Sequence, residues 1–174
     1  DRGEIAAALA GKLPRLLERS DLVADLHVHS TWSDGAATIA EMAAAARDRG
    51  LKVLAISDHS GSLRVAGGMS VEKLHDRRAE IASVQEKMGD SLHLLQGAEV
   101  EIHADGSLDY SDDVLAELDV VVASLHSSLR QPREQITERL LRAMRNPHVD
   151  IIGHPSGRLL PNREGADLDW EQVL

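Results

Sequence analysis

The stretch LVADLHVHSTWSDGAATIAEMAAAARDRG, residues 22–50, decides the fold. Leu22 to Val28 is a short apolar run containing a histidine near its end, Ser33-Asp34-Gly35 has the composition of a turn, and Thr38 to Arg49 carries a helical pattern closed by Gly50. Short apolar runs read as strands, while a Thr ahead of an Ala-rich periodic segment and a Gly after it read as the cap and stop of a helix. The unit is therefore strand, loop, helix. Downstream it recurs: Val53 to Ser57 has the length of a buried strand, and a loop with Gly and Ser leads to a helix running from a Ser70 cap to about Met88. Leu92 to Ile102 reads as a third strand, Asp105-Gly106 as a turn and Asp112 to Leu118 as a short helix. Val120 to Ser124 is a fourth strand, Arg133 to Arg145 a helix stopped by Asn146-Pro147, and Val149 to Gly153 a fifth strand. Strands alternating with helices through short loops call for an α/β protein with a parallel sheet and right-handed crossovers, open or closed into a barrel. Residues 1–19 read as a leading helix or linker, and residues 20–174 as one domain.

Composition agrees with that architecture. With no Phe, two Trp and one Tyr, the core has to be aliphatic, built where helices cover a sheet. The absence of Cys excludes a disulfide framework and thiolate metal sites and fits a reducing compartment, so the expected location is the cytoplasm. No apolar run approaches the ~20 residues that a membrane span requires, and no membrane partner is expected. The formal charge of −10 argues against a broad basic surface for nucleic acid. Clustered carboxylates, however, can form a cation site whose local charge reverses once it is loaded, so a phosphate-bearing substrate is not excluded.

The polar residues fall at telling places on this map. His27 and His29 lie at the end of the first strand with Asp34 in its loop, His59 follows the second strand directly after Asp58, Glu99 lies towards the end of the third, and His126 and His154 follow the fourth and fifth. Every strand thus delivers a metal-capable side chain at or just past its carboxyl end, where α/β sheets and barrels place their ligand sites. Imidazole and carboxylate together suit Zn, Mn or Fe, and a shared Glu can bridge two cations. His27 and His29, two apart on a strand, point to the same side, so one ion can take both. Adjacent cations would activate a water and clamp a phosphoryl group for in-line attack, which makes hydrolysis of a phosphate ester the natural reaction. His75, His93, His103 and His148 do not share the pattern and are read as non-ligands. Asp25 and Asp58 flank ligand positions and are candidates for orienting imidazoles, or else for capping and loop roles. Arg158 and Arg64 follow the His154 and His59 loops and are candidate contacts for phosphate oxygens. Trp32 could stack on a terminal base or pack as a lid over the first helix. Arg77-Arg78 and Arg139 to Arg145, interleaved with Glu, read as solvated helix faces.

At these residues the sequence resembles the polymerase-and-histidinol-phosphatase (PHP) superfamily, through Asp25-Leu-His-Val-His-Ser30, Ser33-Asp-Gly35, Ser57-Asp-His-Ser60, Gly97-Ala-Glu-Val-Glu101, Ser124-Leu-His126 and Gly153-His-Pro155. Within it, the chain is most similar to the C-terminal domain of bacterial family-X DNA polymerases, through Ser62-Leu-Arg-Val-Ala-Gly-Gly-Met69, Asp105-Gly-Ser-Leu-Asp-Tyr110 and Gly153-His-Pro-Ser-Gly-Arg-Leu-Leu160. The lead-in from Gly3 to Arg15 also resembles the linker of those polymerases.

The resemblance implies a distorted TIM-like (βα)7 barrel with three divalent ions (Mn, Zn or Fe) at its centre. His27, His29 and Glu99 would hold one ion, Glu99 would bridge to a second held by His126 and His154, and Asp34 and His59 would hold the third. It further implies a manganese-dependent 3′ to 5′ exonuclease or 3′-end-processing activity in DNA repair, with DNA 3′ ends as substrate and a polymerase domain N-terminal to it. The nucleophile would be a metal-bound hydroxide, with no catalytic protein side chain beyond the ligands. Two other functions remain open: a stand-alone phosphatase acting on histidinol phosphate or a nucleotide, and a non-catalytic structural module. One motif is missing, since the superfamily's closing Asp-x-His has no counterpart before Leu174 and five of the seven strands can be counted. The expectation is a barrel truncated after about five βα units, with weak metal binding and no assurance of activity in the piece alone.

Overall fold

The structure, a computed structural model, describes residues 2–174. The elements run α1 (Glu4–Leu9), β1 (Ala24–Val28), α2 (Ile39–Asp48), β2 (Val53–Ile56), α3 (Val71–Met88), β3 (His93–Glu101), α4 (Asp112–Leu115), β4 (Val120–Ser124), α5 (Arg133–Met144), β5 (Ile151–Gly153) and α6 (Trp170–Val173). Five strands pair in sequence order, every pair parallel. Strands joined that way need crossovers, and α2, α3, α4 and α5 supply them.

The sheet is a curled half-barrel rather than a flat sheet. At ~4.8 Å per strand a flat sheet would separate β1 from β5 by roughly 19 Å. The rings of His27 and His154, at the ends of those two strands, lie 5.9 Å apart. β3 carries much of the curl: its first half, from His93 to Gln96, pairs with β2, and its second half, from Gly97 to Glu101, pairs with β4. Such an offset is the stagger that tilts strands in a barrel.

The two faces of the sheet are filled differently. Leu94, Ala98 and Val100 of β3, with Leu54 and Ile56 of β2 and Val121 of β4, pack outward against buried residues of the helices such as Ile39, Leu74, Ile81 and Leu115. Ala55, Leu95, Val120, Val122 and Ile151 pack with one another in a separate cluster on the inner face. Because side chains alternate along a strand, Glu99 shares the inner face with Leu95 and sits above that apolar floor. The helix signals behave as the sequence suggests. Thr38 caps α2 through a reciprocal box with Glu41, with the Thr38 N–H donating to Glu41 Oε2 at 2.8 Å, and the Ser70 hydroxyl accepts from the Lys73 N–H to start α3.

Several boundaries differ from the sequence reading. The fourth helical segment ends at Leu115 rather than Leu118, and the fifth strand starts at Ile151, because the Val149 N–H closes a turn onto the Asn146 carbonyl before pairing begins. Among the described residues of the leading segment Glu4–Leu9 is α-helical, with none of it buried, and a 3-10 turn begins at Arg19; Asp1 lies outside the described residues. The larger correction concerns two arginines. Arg77 on α3 and Arg139 on α5 were expected on solvated helix faces, yet both are buried, because each finds a buried carboxylate and backbone carbonyls to satisfy its guanidinium.

Candidate metal centre

All seven of the strand-end residues singled out in the sequence, His27, His29, Asp34, His59, Glu99, His126 and His154, line one open cavity of about 520 Å³. Local structure explains how each arrives there. The β1 and β2 registers slip between Asp25 and Val28, and Ser57 ties the ends together: its N–H donates to the Val28 carbonyl at 2.7 Å and its Oγ accepts from the Val28 N–H at 2.9 Å. After His29 the chain turns back so closely that a Cβ at Gly35 would lie 2.4 Å from the His29 carbonyl oxygen. Only glycine fits there, and the turn brings Asp34 Oδ1 to 2.7 Å from His29 Nδ1. His59 pairs with Glu99 as an isolated bridge beyond the regular strands. On the far side, a Cβ at Gly153 would meet Ser124 Oγ at 2.4 Å, so glycine lets β5 close against β4. His154 itself stands at φ 23°, a backbone region that non-glycine residues occupy at a cost and that recurs at functional sites.

Glu99 is the hub. It is 1 % exposed, and five imidazoles surround it. Oε2 lies 3.2 Å from His27 Nε2, 3.2 Å from His29 Nε2 and 3.0 Å from His59 Nδ1; Oε1 lies 3.1 Å from His126 Nε2 and 2.9 Å from His154 Nε2. Asp34 Oδ2 adds a 3.5 Å contact to His59 Nε2. The donor atoms of His27, Glu99 and His154 lie within 4.8 Å of one another, and so do those of His29, His59 and Glu99. Glu99 belongs to both groups, as a bridging carboxylate must. These groups divide the histidines differently from the division that the superfamily resemblance implies, in which His27 and His29 share an ion.

The residues fit a divalent ion. Glu99 Oε1 and His59 Nδ1 are buried, and although ring or carboxylate atoms approach them at 2.9–3.1 Å, none does so with hydrogen-bond geometry, which leaves both atoms poorly satisfied by the protein alone. A buried carboxylate oxygen and neutral ring nitrogens are a donor set for divalent Zn, Mn or Fe. Electrostatics point the same way. Burial works against ionising Glu99, but the contacts with His126, His154, His27 and His29 outweigh it and hold the carboxyl far below its usual range. His126 is pushed up to about 9, because its bonds to Glu101 and Glu99 overcome the cost of burying a charged ring. His29 rises for the same reason through Glu99 and Asp34, whereas His59 falls, since burial and the neighbouring His29 and His126 rings outweigh Glu99 and Asp34. Protons on imidazoles thus neutralise the carboxylates in the metal-free cluster, at positions that a cation would take.

A second layer holds these side chains. Glu101 Oε2 sits 2.7 Å from His126 Nδ1, which fixes the tautomer and turns Nε2 towards Glu99, and Glu101 also accepts from Ser127 N and Ser127 Oγ. The sequence reading passed over Glu101 in that role. The signal was present, since Glu99 and Glu101 are two apart on one strand and so share a face. Of the two carboxylates that were singled out, Asp58 touches no imidazole: it accepts from Ser30 N, Ser30 Oγ, Ser33 Oγ and Arg77 Nη1, and so holds the β1 loop. Asp25 accepts only the His27 N–H, at 3.3 Å on the exposed side.

The remaining candidates lie elsewhere. His75 pairs with Glu117 and His103 with Asp109, and neither they nor His93 and His148 line the cavity. Arg64 and Arg158 do not line it either, whereas Arg163 does. Trp32 donates its indole N–H to Glu80 Oε2 of α3 at 2.7 Å and packs against two clusters of the core.

Comparison with known proteins accounts for this constellation. The model of the PHP domain family matches residues 25–172. The chain belongs to that family. Members of the PHP family are phosphoesterases that use divalent metals, and the histidine and glutamate groups around Glu99 fit that chemistry. Over 159 residues the chain is 47% identical to the DNA polymerase/3′-5′ exonuclease PolX of Bacillus subtilis, an alignment covering 91% of this chain and 28% of that protein. It is 34% identical over 158 residues to a probable phosphatase of Caldanaerobacter subterraneus, covering 88% of this chain and 57% of the relative. The chain therefore spans between about a quarter and somewhat over half of the length of these relatives. Among solved structures, a candidate histidinol phosphatase from Listeria monocytogenes superposes with a TM-score of 0.50 at 18% identity, over 59% of this chain and 44% of that one, which supports the PHP fold.

Proposed function

We propose that this chain is the metal-dependent phosphoesterase domain of a bacterial family-X DNA polymerase, trimming DNA 3′ ends as a 3′ to 5′ exonuclease during repair in the cytoplasm. The observation that carries the hydrolase reading is the buried Glu99 carboxylate ringed by five imidazoles at the open end of a parallel sheet. In this reading His27, His29, Asp34, His59, Glu99, His126 and His154 hold the cations, Glu101 keeps His126 in the tautomer that presents Nε2, and Asp58 holds the β1 loop against the site. Bound divalent ions supply Lewis acidity towards a phosphoryl oxygen and a water nucleophile. The apolar floor of Ala55, Leu95, Val122 and Ile151 beneath Glu99 limits the site to one open side, which strengthens every charge interaction above it.

The choice of DNA is supported by the 47% identity to a protein named as a polymerase and 3′-5′ exonuclease, and a polymerase domain preceding this one in the same protein goes with it. A small-molecule phosphatase is the second reading, supported by the 34% identity to probable phosphatases. To separate them, single-stranded DNA labelled at its 5′ end and p-nitrophenyl phosphate are offered to the protein side by side with manganese. Stepwise shortening of the DNA from its 3′ end supports the exonuclease reading. Turnover of the small ester alone replaces it with the phosphatase reading.

A further inference from the structure

The walls of the cavity around Glu99 are not alike. Apart from the imidazoles and carboxylates described above, the lining consists of Leu63, Val65 and Ala66 from the loop after β2 and Arg163 from the stretch after β5. Arg163 brings the one guanidinium in that lining. It stands on a hairpin that folds back after β5: Leu159 and Arg163 exchange backbone hydrogen bonds at 2.9 and 2.7 Å. The Arg163 Nε–H donates to the Gly157 carbonyl at 2.8 Å, which fixes the plane of the fork. Among the described residues its terminal nitrogens make no hydrogen bond or ion pair, in contrast to the buried Arg77 and Arg139, whose guanidinium groups are taken up by protein oxygens. A guanidinium aimed by one bond and free at its two Nη groups suits an anion with paired oxygens.

The lining segment after β2 is apolar and held in place. Val65 is 93% exposed at the mouth, an unfavourable place for a valine unless something covers it. Its loop is not slack. The Met69 N–H donates to the His59 carbonyl at 2.8 Å, the Gly68 N–H to the Leu63 carbonyl at 3.2 Å, and the Ser62 N–H to Asp109 Oδ2 at 2.8 Å. The lip is therefore presented in place before any ligand arrives.

We infer that Arg163 and the Leu63–Val65 lip form the two jaws of a substrate cradle, the guanidinium gripping a non-bridging phosphate oxygen and the lip packing against the sugar and base of a terminal nucleotide. This rests on the phosphoesterase reading and deepens it, because a phosphate ester with an apolar, flat substituent has charge where Arg163 stands and apolar surface where Val65 stands. It also assigns the phosphate contact to Arg163 in place of Arg64 and Arg158.

The test uses the intact protein with manganese and the variants Arg163→Ala, Arg163→Lys and Val65→Asp. Binding of inorganic phosphate is measured by calorimetry, and kcat and KM are measured on a single-stranded oligonucleotide. Arg163→Ala is expected to weaken phosphate binding and raise the oligonucleotide KM by about tenfold, with Arg163→Lys recovering part of the loss through its point charge and metal content unchanged. Val65→Asp is expected to raise the oligonucleotide KM by roughly tenfold through lost apolar packing against the terminal nucleotide together with charge repulsion, and to weaken phosphate binding less than Arg163→Ala does. Phosphate binding unchanged in Arg163→Ala overturns the grip, and an unchanged oligonucleotide KM in Val65→Asp overturns the lip. Because phosphate binding is read without turnover, a manganese-loaded protein that binds phosphate through Arg163 but hydrolyses no ester refutes the phosphoesterase reading and leaves the grip standing.

Discussion

Two buried acid–arginine pairs support the site from opposite halves of the sheet. In the first half, Asp58 follows β2 and meets Arg77 of α3, with Nη1 donating to Oδ2 at 2.9 Å while Nη2 donates to the Gly97 carbonyl. In the second half, Glu101 ends β3 and faces Arg139 of α5 at 3.6 Å, and Arg139 donates chiefly to the carbonyls of Ser127 and Ile102. The likeness ends at the ligands. Asp58 gives its oxygens to the backbone and hydroxyls of the β1 loop, whereas Glu101 gives one oxygen to the ring of His126. The first pair is a structural bolt with both charges buried. The second reaches a would-be ligand directly, so its loss should be felt in metal binding before it is felt in folding.

Substitutions in each pair separate these two roles. The largest effect is expected from Arg77→Met, which leaves Asp58 buried and uncompensated and should lower unfolding stability by ~3–5 kcal/mol in denaturant titrations. A loss below about 1 kcal/mol would mean that Asp58 draws little from the arginine. Glu101→Gln comes next. Removing the anionic partner of His126 Nδ1 should weaken metal affinity by ~10–100-fold while Asp58→Asn, which touches no ring, changes it far less. Equal effects of the two on affinity would erase the distinction drawn here.

A third prediction concerns pH. His126 and His29 are raised in the folded protein, so their contribution to stability is complete below an unfolded histidine value of ~6.5 and is lost as pH rises, through about 9 for His126. Glu99, Glu101 and Asp34 are lowered, so theirs is present above the unfolded carboxylate range and lost only on acidification. The metal-free protein should therefore melt at progressively lower temperature between pH 6.5 and 9. Manganese should reverse that slope, because cations take neutral imidazoles and displace protons. A melting temperature flat over this window without metal would contradict the account of who carries the protons. The smallest effect serves as a reference: Thr38→Ala removes the α2 cap and should cost about 1 kcal/mol with no change in metal affinity.

The parallel βα order and the gathering of histidines and carboxylates at the strand ends were legible because both follow from short-range pattern: apolar runs of strand length, caps at Thr38 and Ser70, and polar residues at each carboxyl end. What stayed hidden depends on partners distant in sequence. Arg77 and Arg139 sit among glutamates at helical spacing and look solvated until α3 and α5 are laid on the sheet, where Asp58 and Glu101 await them. Arg163 carries no local signal at all, since a hairpin after β5 decides that it faces the cavity while Arg158 does not. The grouping of imidazoles around Glu99 was equally out of reach, because it depends on how far the sheet curls.

Imidazoles from the ends of four strands converge on Glu99 of β3, and divalent cations held there would sit against its carboxylate. Anomalous diffraction from crystals of the intact protein grown with zinc or manganese tests it most directly. The account predicts at least two peaks flanking the Glu99 carboxylate, each about 2.0–2.3 Å from a Glu99 oxygen and a histidine nitrogen. Peaks confined to exposed surface carboxylates, with none beside Glu99, would contradict it.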